Sequence, residues 1–384
     1  MKVIDVDCHF EVAVTPEEHP LYGLRDVIPT AAQYMCETLV GDLYNVTPLG
    51  DVPPIEEFGA FLPAENRASS EIATLENVAE PPFESMTPDQ RLAWFDEAGI
   101  DFALINPGAI GILSYFLGER SGEAMRLCNA FHAERLHGYT DRMSPVTMVD
   151  WSDVDNAIAE LTRMRALGSR AFWLRAQPHS GMSPAHPDWD KVWSAATDLG
   201  MAAVLHVGMT PAAFSGGWGN AGWNNPRGSG LGGFFRFANA MRHQPAEMLL
   251  ASMVYGGVFG RHPTLTVITE EIGVGWLPYF VTRCDLLGFA GPWCFDRTPG
   301  EMVRQQVRAA PLPGLGDPNP IGDDLAGLAE MLVFSSDYPH GEGNRAPRAL
   351  FSPSLAKMTS PQQEQFLGGN ILDCFARMGD PLPV

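Results

Sequence analysis

Four side chains in this sequence have the types and positions that bind a divalent cation: Asp7 and His9 in DVDCHFE, His206 in AAVLHVG, and Asp337 in VFSSDYPHGEG. Asp5, Asp7 and His9 alternate along a segment that reads as a strand, so their side chains are expected to leave one face. Asp7 and His9 can then reach one ion together. His206 and Asp337 each follow an apolar run, where a buried strand would end. Two carboxylates and two imidazoles suit zinc, iron or manganese and do not choose among them. Asp337 can also hold a nucleophilic water or take its proton.

TEEIGVGWLPY adds the adjacent Glu270 and Glu271, and strand alternation predicts that one of them points inward. His340 lies three residues beyond Asp337, within reach of the same site. If a Glu and His340 both bind, the donors exceed the needs of one tetrahedral ion and a carboxylate-rich metal pair follows. Otherwise the Glu orients a ligand from behind. Arg175, at the end of RAFWLR, is placed to hold an anionic substrate or to salt-bridge at the rim, and Trp218, Trp223, Phe234 and Phe235 offer an apolar wall. His186 and His262 precede prolines and read as structural, while His132, His137, His179 and His243 lack partners in sequence. No G-x-S-x-G elbow, P-loop or strand-linked GxGxxG is present, which argues against serine hydrolase, nucleotide triphosphatase and dinucleotide oxidoreductase chemistry.

These residues need elements to carry them. KVIDV, DFALINP, SPVTMVD, RAFWLR, MAAVLHV, LTVITEE and MLVFSSD read as strands, and helical patterns fall at 88–99, 122–138, 153–168 and 188–200. The alternation predicts a parallel sheet with crossover helices, hence an α/β chain closing into a (β/α)8 barrel. Seven candidates leave one strand to find, within 286–330. In such a barrel the chemistry collects on loops after the C-terminal ends of the strands, where the polar residues above fall. The chain reads as one domain, 1–384, interrupted at 11–98 and 207–247 by segments that are lids or oligomer contacts.

The 384 residues carry 46 Asp plus Glu against 25 Lys plus Arg, a net charge of −21 that opposes binding to nucleic acid or anionic membrane. A small-molecule substrate is the expected partner, and the barrel edges and aromatic loops fit a homodimer. The six cysteines form no CxxC pair and read as free thiols in a reducing compartment. With no leader pattern after Met1 and no apolar run of the roughly 20 residues a span requires, a cytoplasmic location is expected.

Through IDVDCHFE, AHPDWDKVWSAATDLGMAAVLHVG, MVYGGVFGRHPTLTVITEEIGVGWLPYF, VFSSDYPHGEG and FLGGNILDCFARM, the chain resembles the amidohydrolase-related family. Its members include aminocarboxymuconate-semialdehyde decarboxylase, aromatic-acid decarboxylases and hydrolases. The resemblance implies a distorted TIM barrel with long lid loops and metal ligands at Asp7, His9, His206 and Asp337, and it selects Glu271 over Glu270. Many relatives carry His-x-His where this chain has Asp7-Cys8-His9, and an oxygen-richer site favours iron or manganese over zinc. Decarboxylating relatives often place an acid/base His near the position of Glu271. A small branch uses two non-haem metals, with thioesterase and oxygenase activities, and Asp7, His9, His206, Glu271, Asp337 and His340 would furnish such a site. The leading expectation is a hydrolase, in which metal-activated water attacks an amide, ester, lactone or thioester carbonyl while Asp337 or Glu271 moves the proton. Non-oxidative decarboxylation of a small carboxylic acid and oxygenation at a dinuclear iron or iron/manganese site are the alternatives.

Overall fold

The computed structural model describes residues 1–10, 19–27, 87–108, 111, 114–207, 241–286, 293–311, 323–340 and 345–384. Most of both long interruptions, with Trp218, Trp223, Phe234 and Phe235, lies outside the described residues.

Among the described residues seven strands are present: β1 (Ile4–Phe10), β2 (Phe102–Pro107), β3 (Met143–Thr147), β4 (Ala171–Trp173), β5 (Ala202–His206), β6 (Val267–Glu270) and β7 (Val307–Ala309). They pair in sequence order, each parallel to the next. β7 is the strand sought within 286–330. The last candidate, MLVFSSD, departs from expectation because it forms no regular strand. It meets β7 at Ala309–Leu332, and the adjoining Tyr338 meets β1 at Cys8, through isolated parallel bridges. Val333 N donates to Ala309 O at 3.1 Å and Val6 N to Phe334 O at 3.1 Å, so this irregular segment links the last strand back to the first. The result is the distorted TIM-like α/β architecture.

Crossover helices follow from local chemistry. Thr87 and Gln90 form a capping box that opens α1 (Pro88–Ala98), and Gly99, at φ 72°, closes it. Between β2 and β3 lies α2 (Ser121–Arg135), and Asp153 caps α3 (Val154–Ala166) through Asn156 N. His186 caps α4 (Pro187–Asp198) by accepting from Asp188 N, a structural role for a histidine that precedes a proline. Side chains alternate between two layers. Val6, Leu104, Trp173, Val204 and Ile268 fill the barrel interior, while Ile105, Phe172, Leu174, Ala203 and Leu205 pack outward with Trp189 and Trp193 of α4. Each large apolar side chain buried in this way contributes about 1.5–3 kcal/mol.

Five described cysteines are free thiols, four buried and Cys294 exposed. Among the described residues, no helix is long and apolar enough to cross a membrane.

Candidate metal centre

The register of β1 against β2 slips between Asp5 and Cys8. This bulge overturns the expectation that Asp5, Asp7 and His9 share a face. Asp5 turns to the closing segment, where it accepts from Ser336 N at 2.9 Å and Ser336 Oγ at 2.5 Å. Asp7 and His9 face the mouth instead. There His9 Nε2 stands 3.1 Å from Asp7 Oδ1, 3.3 Å from His206 Nε2, 3.5 Å from Asp337 Oδ1 and 3.8 Å from Glu271 Oε1.

Glu271 spans the centre, with Oε2 3.3 Å from His206 Nε2 and Oε1 3.4 Å from His340 Nδ1. His340 Nδ1 also lies 2.8 Å from Asp337 Oδ1. The six donors fall into two groups, Asp7–His9–His206–Glu271 and His9–Glu271–Asp337–His340, each with its ligand atoms within 4.8 Å of one another. All six expected metal ligands therefore converge.

Backbone conformation explains how adjacent glutamates can both serve the mouth. Glu270 follows Ile268 onto the inner face of β6, and its Oε2 accepts from Asn106 Nδ2 at 2.8 Å. Glu271 would point outward by alternation, but its φ of 56° turns it in; Asp337 sits at φ 51°. The expectation that one of the two glutamates points inward is thus corrected. Left-handed backbone costs about 1–3 kcal/mol at a non-glycine residue and persists where surrounding bonds enforce it. Asp337 N donates to Asp7 O at 2.8 Å, which supplies one such bond.

The charge balance calls for a cation. Burial, and then Glu271, push Asp7 up to about 7, while burial and Asp7 raise Glu270 well above the usual range. Burial would raise Glu271 too, but His206 and His340 outweigh it and hold Glu271 well below the usual range. Asp7 Oδ2 is buried and, among the described residues, accepts no hydrogen bond. A divalent ion among these nitrogens and oxygens would give that atom a partner and offset the crowded negative charge, so the donor set fits a metal.

Asn106, missed in the sequence, orders the cluster from beneath. Its Nδ2 donates to Asp7 Oδ1 at 2.9 Å as well as to Glu270, while its Oδ1 accepts from Trp173 Nε1 at 2.8 Å, which fixes the amide's orientation. Asn106 follows an apolar run at a strand end, the pattern that singles out His206 and Asp337. Its amide neither titrates nor commonly binds metal, so it did not stand out. Trp173 also lies against His206, ring centroids 5.7 Å apart. Arg175 follows two residues beyond Trp173, and its guanidinium lies 4.8 Å from the centre of the Tyr115 ring.

A family model described as Amidohydrolase matches residues 4–376. No curated protein matches the chain. Among solved structures, an amidohydrolase from Mycobacterium avium subsp. paratuberculosis superposes with a TM-score of 0.64 at 20% identity, covering 97% of this chain and 99% of that one. The 5-carboxyvanillate decarboxylase of Sphingomonas paucimobilis gives 0.62 at 18% identity, over 98% and 99% of the two chains. The corresponding enzyme of Novosphingobium aromaticivorans, complexed with manganese and 4-hydroxy-3-methoxy-5-nitrobenzoic acid, gives 0.64 at 17% identity, over 98% and 96%.

Proposed function

This chain belongs to the amidohydrolase family, and from that premise we propose that it is a metal-dependent decarboxylase of a small carboxylic acid, working without an oxidant. The observation that carries the reading is the six-donor cluster at the barrel mouth, with five of its members buried. Support for decarboxylation over the hydrolysis expected from sequence comes from structural neighbours that are 5-carboxyvanillate decarboxylases. Asp7, His9, His206 and Asp337, with Glu271 and His340, would hold one ion or two. A neighbour's manganese supports that metal, with iron and zinc as the alternatives.

A bound divalent ion supplies Lewis acidity toward the substrate's carboxylate or an adjacent oxygen. Arg175 orients the anionic substrate. The bond to the carboxyl carbon breaks, carbon dioxide leaves, and the electron pair stays on the substrate carbon, which takes a proton. Where the other five residues hold the ion, His340 is the donor: it is hydrogen-bonded to Asp337 through Nδ1, and its side chain, 20% exposed, opens farther to solvent than the buried His9 and His206.

Glu271 favours a second reading, hydrolysis of an amide, ester, lactone or thioester. Its carboxyl is held ionised, and a carboxylate at this position can take the proton of a water attacking a carbonyl carbon. One experiment separates the two readings. Carboxylic acids and acyl esters are supplied to protein loaded with manganese, iron or zinc in deuterated, 18O-enriched water, with carbon dioxide and oxygen uptake followed. Carbon dioxide release with one deuterium in the product supports decarboxylation, and 18O in a new carboxylate supports hydrolysis. Oxygen uptake would overturn both in favour of oxygenation, and full activity after chelation would end the metal reading.

A further inference from the structure

We propose that Arg91, outside the ligand cluster, is a positioning residue that clamps the two ligand-bearing segments together. The inference rests on the reading of that cluster as a metal site. Arg91 lies on α1 and is 1% exposed, yet among the described residues it forms no ion pair with a carboxylate. Its Nη1 instead donates to Cys8 Sγ at 2.9 Å and to Tyr338 O at 3.4 Å. Those acceptors are placed tellingly. Cys8 separates the ligands Asp7 and His9, and Tyr338 lies between Asp337 and His340.

The same Tyr338 carbonyl accepts from His9 N at 2.8 Å, so one oxygen joins both ligand segments and the guanidinium closes over it. Around the cation stand the rings of Phe10, Trp94 and Tyr338, at 5.2, 5.6 and 4.9 Å from centroid to Cζ, and Trp94 stacks on Tyr338 at 4.0 Å. A buried guanidinium without a carboxylate is costly to desolvate, and aromatic faces offset only part of that cost. A like-sized apolar residue would fill the space more cheaply. What it would not do is hold the Tyr338 carbonyl beside Asp337, whose left-handed backbone needs external restraint.

The test is the manganese affinity of the full chain, by equilibrium dialysis, beside the thermal unfolding of metal-free protein. Arg91→Met is expected to weaken manganese binding by about 10–100-fold, as loss of a ligand's outer partner does. Its metal-free melting temperature is expected to hold or rise, because an unpaired buried charge is removed. Arg91→Lys keeps the charge without the planar fork and should fall between Met and wild type. Unchanged affinity in Arg91→Met overturns the clamp, as does a loss of affinity matched by a loss of stability. Should the Met protein fail to fold, the Lys protein decides: weaker binding at unchanged melting temperature supports the clamp, and unchanged binding overturns it. If wild type binds no manganese, iron or zinc, the metal reading fails first; if it binds and Arg91→Met binds equally, only the clamp fails.

Discussion

His9 and His206 are buried at the barrel mouth beside carboxylates, with His9 3.1 Å from Asp7 and His206 3.3 Å from Glu271. His179 is buried just as deeply in the layer outside the sheet, but it stacks on Trp151 at 4.3 Å and meets Trp189 edge-on at 5.2 Å. Among the described residues neither of its ring nitrogens has a hydrogen-bond partner. Burial alone therefore does not distinguish a proposed ligand from a core histidine. At the mouth, imidazoles and carboxylates hold one another at ligand spacing on strained backbone. In the outer layer, low dielectric keeps an imidazole neutral and the aromatic stack does the rest.

Substituting one histidine from each region puts that contrast under the greatest strain. His206→Ala is expected to lose bound metal and to lower activity by more than about 100-fold, since even the outer partners of metal ligands are worth about 10–100-fold. His179→Phe should keep both metal content and turnover. Elemental analysis and a steady-state assay read both outcomes, and a His179→Phe protein without metal would erase the distinction between the regions.

Asn106→Ala sharpens the comparison at the next scale. It removes the hydrogen bond to Asp7 Oδ1 and leaves the Trp173 indole without its acceptor. Metal affinity is expected to fall by about 10–100-fold while the six donors remain. Equilibrium dialysis checks this, and wild-type affinity would mean that Asp7 is oriented without the amide.

Much of this was legible in the sequence, for reasons that particular residues make plain. The apolar runs ending in His206 and Asp337 report strands buried on both faces, and their polar ends mark the mouth. Thr87, Asp153 and the glycines after the helical segments announce helix ends through local chemistry. Three features were hidden. Val307–Ala309 is too short to show a period, so β7 could be bounded but not placed. The bulge that separates Asp5 from Asp7 depends on pairing with β2, which no local pattern records. The inward turn of Glu271 rests on a left-handed residue that ordinary alternation does not anticipate.

The smallest expected effect tests the outer layer by its protons. Burial, then Arg175, lowers His179 from 6.5 to about 3, and burial, then Arg135, lowers His132 to about 4. At these two histidines the folded protein thus binds fewer protons than the unfolded chain below pH 6.5. The stability tied to these two groups is complete above that pH and is lost as the pH falls toward their folded values. Asp5, pushed from 3.8 up to about 7 by burial, works in the opposite sense, with its stability present below 3.8 and lost as the pH rises through 7. Each group contributes a slope of about 1.4 kcal/mol per pH unit inside its window. Between pH 4 and 6.5 the wild-type slope therefore includes positive contributions from the two histidines and opposing ones from Asp5, Asp7 and Glu270. His179→Phe should reduce that slope by about 1.4 kcal/mol per pH unit in urea unfolding with chelator present throughout. An unchanged slope would mean that His179 takes up its proton while folded, by turning a ring nitrogen to water, and the outer layer would then be less closed than its stacked rings imply.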